Sequence, residues 1–326
     1  MSPRLTRRAL GAVLTAATLP LPALAQTWPA RSIRWIVPYA PGGGSDFLAR
    51  TIAAAMSGPL GQTVLVENRP GGATVIATEA LTRSAPDGYT VLSADMTALI
   101  INPAGFRRLP YHPINDLKPV ATTATFNFVL AVTPGLATRS VADLVAMARA
   151  QPGRLNFASP GIGSPSHLAT ERFSRNLNIS LTHVPYRGGA PAVTDLVSGT
   201  ADAMFIDYAS GAPHFEAGRV RPLAATAPTR MALLPNLQTL AEAGFPGNDI
   251  YSWQGVVAPG GTPDAVVAML GTAIRAAVSD PAVADRLRGI GLTPMPGDGA
   301  SFAALIASET AIWGTLIKDL GLVLDS

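Results

Sequence analysis

Ile33-Arg34-Trp35-Ile36-Val37-Pro38-Tyr39-Ala40-Pro41-Gly42-Gly43-Gly44-Ser45-Asp46 is the stretch on which the fold turns. Its first five residues are β-branched, aromatic or long, and Pro38 stops them, the pattern of a short strand. Pro41 to Ser45 is a turn. From Asp46 to Ser57, Phe47, Leu48, Ile52, Ala55 and Met56 recur on one helical face. Strand, Gly-rich turn and helix in that order make the unit of a parallel sheet covered by helices. The unit repeats with a strand at 63–67, the turn Asn68-Arg69-Pro70-Gly71-Gly72, a helix to about Ser84, the turn Asp87-Gly88 and a strand at 90–93.

A second series starts near Asn127. Strands are expected at 128–132, 155–158, 181–184, 203–206 and 223–226, and helices at 141–150, 165–176 and 190–198. Ser140 is placed to cap the first of these helices. Three further helices are expected at 263–279, 281–289 and 302–320, the first with Thr262 as its N-cap and Pro263 at its first position. Two α/β units in one chain imply two lobes with a crevice between them. The C-terminal helices are expected to return to the first lobe, giving 26–125 and 231–326 as lobe 1 and 126–230 as lobe 2.

The N-terminus bears on location. Arg4, Arg7 and Arg8 precede an apolar run from Ala9 to Leu24, and Ala23-Leu24-Ala25 suits cleavage after small residues. Residues 1–25 are therefore expected to be a secretory signal, too short and too rich in Pro for a membrane span. The Arg7-Arg8 pair suits the general secretory and the twin-arginine routes alike. These three arginines account for the whole formal net charge of +3, and no acid lies among them. The rest of the chain is near neutral, which gives no support for nucleic-acid binding. With no Cys there is no disulfide, thiol nucleophile, thiolate metal site or lipid-anchor cysteine. No later stretch reads as a continuous apolar span of membrane length, and a soluble periplasmic protein is expected.

In open parallel sheets ligands bind beyond the carboxyl ends of the strands, and the glycines of this chain stand there. The loop 37–46 leads into a helix whose first N–H groups and partial positive charge suit a carboxylate. The loop Ser159-Pro160-Gly161-Ile162-Gly163-Ser164-Pro165 does the same, with Ser164 as N-cap. Asp46 stabilises its own helix dipole and can pair with Arg50; otherwise it receives a cationic or hydroxyl part of the ligand. Asp207 closes the apolar run 203–206. Tyr39 belongs to the first loop, Thr97 offers a rim hydroxyl, and Arg187 in Tyr186-Arg187-Gly188-Gly189 offers an anion anchor.

Enzyme signatures fail one by one. Gly161-Ile162-Gly163-Ser164-Pro165 lacks the last Gly of a nucleophile elbow. No phosphate-binding G-x-x-x-x-G-K-[ST] occurs, and Phe47 stands where a dinucleotide fingerprint needs Gly. His112, His167, His183 and His214 show no metal-ligand spacing. No cofactor and no metal is expected, although a carboxylate-based enzyme stays open as an alternative.

Read together and in order, these segments resemble the substrate-binding receptors of tripartite tricarboxylate transporters, over essentially the whole chain after residue 25. The matching segments are 37–46 with Arg50, Val66-Glu67-Asn68-Arg69-Pro70-Gly71-Gly72, Ala85-Pro86-Asp87-Gly88-Tyr89, 159–164 with His167-Leu168, Val184-Pro185-Tyr186-Arg187-Gly188-Gly189-Ala190-Pro191, Glu242-Ala243-Gly244, Trp253-Gln254-Gly255 and Ala258-Pro259-Gly260-Gly261-Thr262-Pro263. The resemblance implies an α/β type II periplasmic binding protein fold, two lobes each with a mainly parallel sheet flanked by helices, and a hinge of two crossing strands. It implies ligand carboxylates held by Ala40, Gly43 and Ser45 on one lobe and by Ser159, Gly161, Gly163 and Ser164 on the other, with Asp207 lining the cleft. It further implies a monomeric receptor for a small mono- or dicarboxylate, no catalysis, and two integral membrane permease subunits, one large and one small, as partners. A sensor without a transport role is the second alternative. The chain departs from the family pattern at His112, at Asp95-Met96-Thr97 with Ile100-Ile101, and at Pro160, changes that suit a more apolar pocket wall and an aromatic or longer-chain acid.

Overall fold

The computed structural model describes residues 28–186 and 188–324; the expected signal segment and Arg187 lie outside them. In one half of the molecule β1 (Ile33–Val37), β2 (Val64–Asn68) and β3 (Thr90–Asp95) run parallel. In the other half β5 (Asn156–Ser159), β6 (Thr182–Pro185) and β7 (Ala203–Asp207) do the same. Two long strands join the halves: β4 (Leu117–Val132) and β9 (Tyr251–Pro259), antiparallel to each other. Two short strands also pair with β4, β10 (Leu292–Pro294) at its middle, residues 124–126, and β8 (Arg221–Ala225) at its C-terminal end, residues 129–132. The result is one mixed sheet in the order β2-β1-β3-β9-β4-β7-β5-β6.

The register of this sheet locates the cleft. β3 and β4 are both antiparallel to β9, so they point the same way, whereas β7 is antiparallel to β4. Asp95, the last residue of β3, faces Gln254, which faces Ala124 of β4; Asp207, the last residue of β7, faces Phe128 of β4. The two parallel strand sets therefore run head to head. Their carboxyl ends meet over the segment 124–128, about 13 Å of strand at ~3.3 Å per residue.

Helices cover both faces. The first half carries α1 (Gly44–Leu60), α2 (Val75–Thr82), α3 (Asn102–Gly105), α8 (Asp264–Ser279), α9 (Pro281–Gly289) and α10 (Gly299–Asp319); the second carries α4 (Val141–Ala150), α5 (Pro165–Leu177), α6 (Gly189–Ser198) and α7 (Tyr208–Glu216). On one face a single core runs through both halves, from Leu81 and Trp253 to Phe157 and Phe173, with Phe302, Trp313 and Ile317 of α10 packed over it. On the other face the core is split: α1, α8 and α9 cover one part, α6 and α7 the other.

The strands that carry the connection were the hardest to see. β4 extends eleven positions before the expected start at Phe128, through Pro119 and a run of Thr and Ala of weak strand preference. Register shifts at Pro119/Ala121 and Thr122/Ala124 accommodate the proline, which has no N–H to give the ladder. β9 was not expected because Gly255 interrupts it. A Cβ there would come within 2.4 Å of the Phe302 ring and 2.7 Å of the Ala121 carbonyl, so the glycine is what lets α10 lie against the sheet. α7, with Pro213 inside it, and the short β10 were also missed. The π-helical turn Thr97–Ile101 leads into α3 and is fully buried.

The caps follow the sequence with one correction. Ser140 forms a reciprocal capping box with Asp143, and Ser164 caps α5 ahead of Pro165. Thr262 does not cap α8: Pro263 occupies that position and the helix starts at Asp264. A second correction concerns α10. Its 21 residues are long and apolar enough to cross a membrane by composition, yet it packs along β4 and buries Phe302, Trp313, Gly314 and Ile317.

Thr226 ties the crossing point. Its N–H and Oγ1 bond the Phe128 carbonyl at 3.0 and 2.9 Å, its Oγ1 lies 2.5 Å from the Ile250 carbonyl, and its own carbonyl accepts from Ile250 N–H. Thr226→Val removes a fully buried hydroxyl at constant shape. It is predicted to destabilise the fold by about 1–2 kcal/mol, measured by urea unfolding; an unchanged midpoint would contradict this role.

Candidate functional site

The first loop is organised by Asp46. Its buried carboxylate accepts from Gly42 N–H at 3.0 Å, Arg50 Nε at 3.0 Å and Asn68 Nδ2 at 2.9 Å. Asn68 in turn donates to the Tyr39 carbonyl and accepts from Arg50. Burial alone would raise the Asp46 pKa, but the hydrogen bonds from Arg50, Gly42 and Asn68 outweigh it and hold the carboxyl below its ordinary range. Through these bonds Asp46 shapes the loop, and it pairs with Arg50 as its spacing in the sequence suggests. Gly42, at φ +84°, makes the turn.

The shaped loop leaves the start of α1 open. Gly43 is the N-cap, and no side chain caps the helix, whereas α4, α5, α7, α9 and α10 each have a side-chain cap. The first-turn N–H groups of Gly44, Ser45 and Asp46 therefore lack intrahelical partners and carry the positive end of the helix dipole. Ser45 adds a hydroxyl, which accepts from Gln254 Nε2 at 2.5 Å and keeps its own proton to donate. Ala40 is exposed beside it.

Behind the loop, Tyr39 donates its hydroxyl to Asp95. Asp95 also accepts from the N–H groups of Thr97 at 2.9 Å and Ala98 at 3.2 Å. Burial raises the Asp95 pKa against the pull of these hydrogen bonds, and burial together with the Asp95 charge pushes Tyr39 well above the ordinary phenol range. Thr97 is corrected from a rim hydroxyl to a buried one: only 4% of the residue is exposed, and its Oγ1 has no partner among the described residues.

The second loop is bonded largely to itself. Ser159 is fully buried; its Oγ bonds the Gly161 carbonyl at 3.0 Å, the Gly161 N–H at 3.2 Å and His183 Nε2 at 2.6 Å. Gly163 N–H donates to His167 Nδ1 at 3.0 Å, and Ser164 N–H to the Gly161 carbonyl at 3.2 Å. The backbone donors that the sequence offered to a ligand at Gly161 and Gly163 are thus engaged inside the loop. Gly163, at φ +74°, packs under Leu324 and Ile101, which a Cβ would meet at 2.9 and 3.1 Å. Ser164 Oγ accepts from His167 N–H at 3.3 Å and keeps its proton for an outward partner. Next to this loop, α6 starts at Gly189 without a side-chain cap, and Gly188 N–H ties its turn to the Pro160 carbonyl.

The two groups converge. A Cβ on Gly44 would lie 3.0 Å from the Phe126 ring and 3.4 Å from Ala209 of α7, so the start of α1 touches the start of α7 across β4. Asp207 caps α7, accepting from Ser210 N–H at 3.0 Å with one oxygen, and burial raises its pKa despite that bond. Tyr39, Ala40, Gly43 and Ser45 thus stand at the carboxyl ends of one strand set, and Ser159, Gly161, Gly163, Ser164 and Asp207 at those of the other. Asn68, Asp95, Gln254 and His183 complete the arrangement and were not assigned from sequence, although Asn68 and Gln254 stand in segments that carried the resemblance. His112 lies elsewhere, in an exposed turn where its Nδ1 accepts from Ile114 and Asn115 N–H groups. Two cavities, of about 410 and 340 Å3, also lie away from the loops, one beside Thr133, Arg154 and Asp202 and one between Ile100 and α10.

Comparison with known proteins bears on the family and the fold. Residues 48–322 match the family model described as tripartite tricarboxylate transporter family receptor. The chain is 34% identical to protein BugT of Bordetella pertussis over 313 residues, 96% of each chain. Among solved structures it is similar to R. palustris Rpa4515 with adipate (36% identity, TM-score 0.86, 91% of this chain and 99% of that one). It is also similar to MatC from Rhodopseudomonas palustris with bound malate (30% identity, TM-score 0.81, 89% and 99%).

Asp46→Ala is predicted to destabilise the protein by about 1–3 kcal/mol at neutral pH. Because the folded-state pKa of Asp46 is lowered, its contribution is present above the unfolded carboxylate pKa and is lost as pH falls through the folded value. The gap between wild type and variant in urea unfolding should therefore shrink below about pH 4; a gap that widens in acid would contradict the assignment.

Proposed function

This chain belongs to the tripartite tricarboxylate transporter receptor family of periplasmic solute-binding proteins, and from that premise we propose that it captures a small organic carboxylate between two lobes and delivers it to an ion-driven membrane permease. The observation that carries this reading is the head-to-head meeting of the two strand sets over 124–128, with the uncapped start of α1 on one side. The relatives of known structure that hold adipate and malate support a dicarboxylate as the cargo.

In this reading one carboxylate accepts from the first-turn N–H groups of α1 and from Ser45 Oγ, and the other from Ser164 Oγ and the start of α6. Such charge-assisted bonds in a site shielded from water contribute about 1.5–3 kcal/mol each. Gly161 and Gly163 shape the second loop, and Ser159 holds it from behind. Asp207 offers its second oxygen to the ligand. We place the lobes at 26–125 with 251–326 and at 126–250, since Met231, Leu234 and Leu237 join the core of the second half, Phe245 packs on Phe173 and Asn176 donates to the Gly247 carbonyl. The lobes close about β4 and the return crossing near Thr226, and the closed form docks on one large and one small permease subunit.

Calorimetry with adipate, malate and a monocarboxylate tests this. Adipate binding is expected with unit stoichiometry and intact recovery of the ligand. Ser45→Ala and Ser164→Ala should each weaken it roughly tenfold or more, the equivalent of ~1.5 kcal/mol. Adipate turned over on long incubation, or bound equally well by both variants, would defeat the proposal.

A further inference from the structure

Two stacked imidazoles lie directly behind the second loop, and anion binding itself makes no use of them. His167 of α5 and His183 of β6 face each other with ring centroids 3.7 Å apart and planes inclined by 18°. Each ring grips a different end of the loop 159–164. Gly163 N–H donates to His167 Nδ1 at 3.0 Å, and His183 Nε2 lies 2.6 Å from Ser159 Oγ. Ser159 passes that grip to Gly161 through bonds to both its N–H and its carbonyl.

The bond from Gly163 sets the protonation state in which His167 works. His167 Nδ1 is an acceptor, so a neutral ring carries its proton on Nε2, which faces Glu171 Oε1 at 3.4 Å. A second proton on His167 would stand on Nδ1 and point at the Gly163 N–H, turning a hydrogen bond into two opposed donors. The Gly163 peptide has little room to move aside, because its Cα packs under Leu324 and Ile101. A proton on His183 would set a cation against the face of the neighbouring ring.

We propose that His167 and His183 are positioning residues that hold the ligand loop in shape only while both rings are neutral, so that acidification loosens residues 159–164 and weakens anion binding. This rests on the reading of that loop as one wall of the carboxylate site. The charged group that faces the pair is Glu171 of α5; β5 presents the uncharged Ser159. The next cations on α5 turn elsewhere: Arg172 to the Asp249 carbonyl and the Trp313 ring, Arg175 to Asp319. Burial, and after it the neighbouring His167, lower the pKa of His183 to about 4, and Glu171 opposes them. A lowered folded-state pKa means that the contribution of His183 is complete above its ordinary value near 6.5 and is lost as pH falls from there toward 4.

The test needs no ligand for its first arm. Amide exchange of residues 159–164, corrected for intrinsic rates, is measured at about pH 7.5 and about pH 5 in the wild type and in the His167→Asn/His183→Gln variant, whose side chains can make the same bonds without titrating. Protection is expected to fall in acid in the wild type only. In the second arm, adipate affinity followed from about pH 7.5 down to about pH 4, where His183 takes up its proton, should fall further in the wild type than in the variant. Comparing the two proteins cancels the titration of adipate itself. In the third arm, should the variant fold poorly, the Gly163 amide resonance of the wild type is expected to follow the His167 imidazole titration. Parallel profiles in wild type and variant, or a Gly163 amide that ignores the imidazole, would overturn the proposal. Acid-sensitive exchange without adipate binding at any pH would uphold it and refute adipate as the cargo.

Discussion

The opposed directions of two parallel strand sets on one sheet are the constraint on which the rest depends. Parallel strands leave their carboxyl ends, and the loops that follow, on one edge. Here β4 and β9 reverse the sense of the sheet between the sets, so the two edges face each other instead of facing away. Along that line lie the open start of α1, the capped starts of α5 and α7, and the acids Asp95 and Asp207. In the proposed reading an anion placed there meets donors from both sides.

The energetics of the two faces differ in a way that bears on motion. On one face the core continues from the first half into the second beneath α10, so any rotation of the halves must preserve that packing. On the other face the cores are separate, and α1 and α7 meet only at their first residues, around Gly44 and Ala209. Opening there costs a few contacts at a helix start and not a core. The loops themselves are held by their own side chains, Asp46 in one and Ser159 with the histidine pair in the other. In the proposed reading, binding has little loop entropy left to overcome.

Much of this was legible in the sequence, and the parts that were not share a cause. β1 and its turn into α1 stand where their composition puts them, as do α4 with its capping box and α9. Those elements are decided locally, by periodicity, caps and turn residues. β4 and β9 are decided by partners far along the chain: Pro119 is tolerated because the register shifts beside it, and Gly255 because Phe302 needs its space. The same division runs through the site. Ser164 as a cap and Asp46 beside Arg50 follow from spacing of three and four residues. That Gly163 spends its N–H on His167, and that Thr97 is buried, depend on tertiary packing that no local pattern announces.

The proposed function requires an anion between the start of α1 and the second loop, over residues 124–128. A crystal structure with adipate bound addresses this most directly. One carboxylate should lie within hydrogen-bond distance of the Gly44–Ser45 backbone and Ser45 Oγ, and the other should reach Ser164 Oγ. Adipate found elsewhere, with both loops turned to solvent, would contradict it.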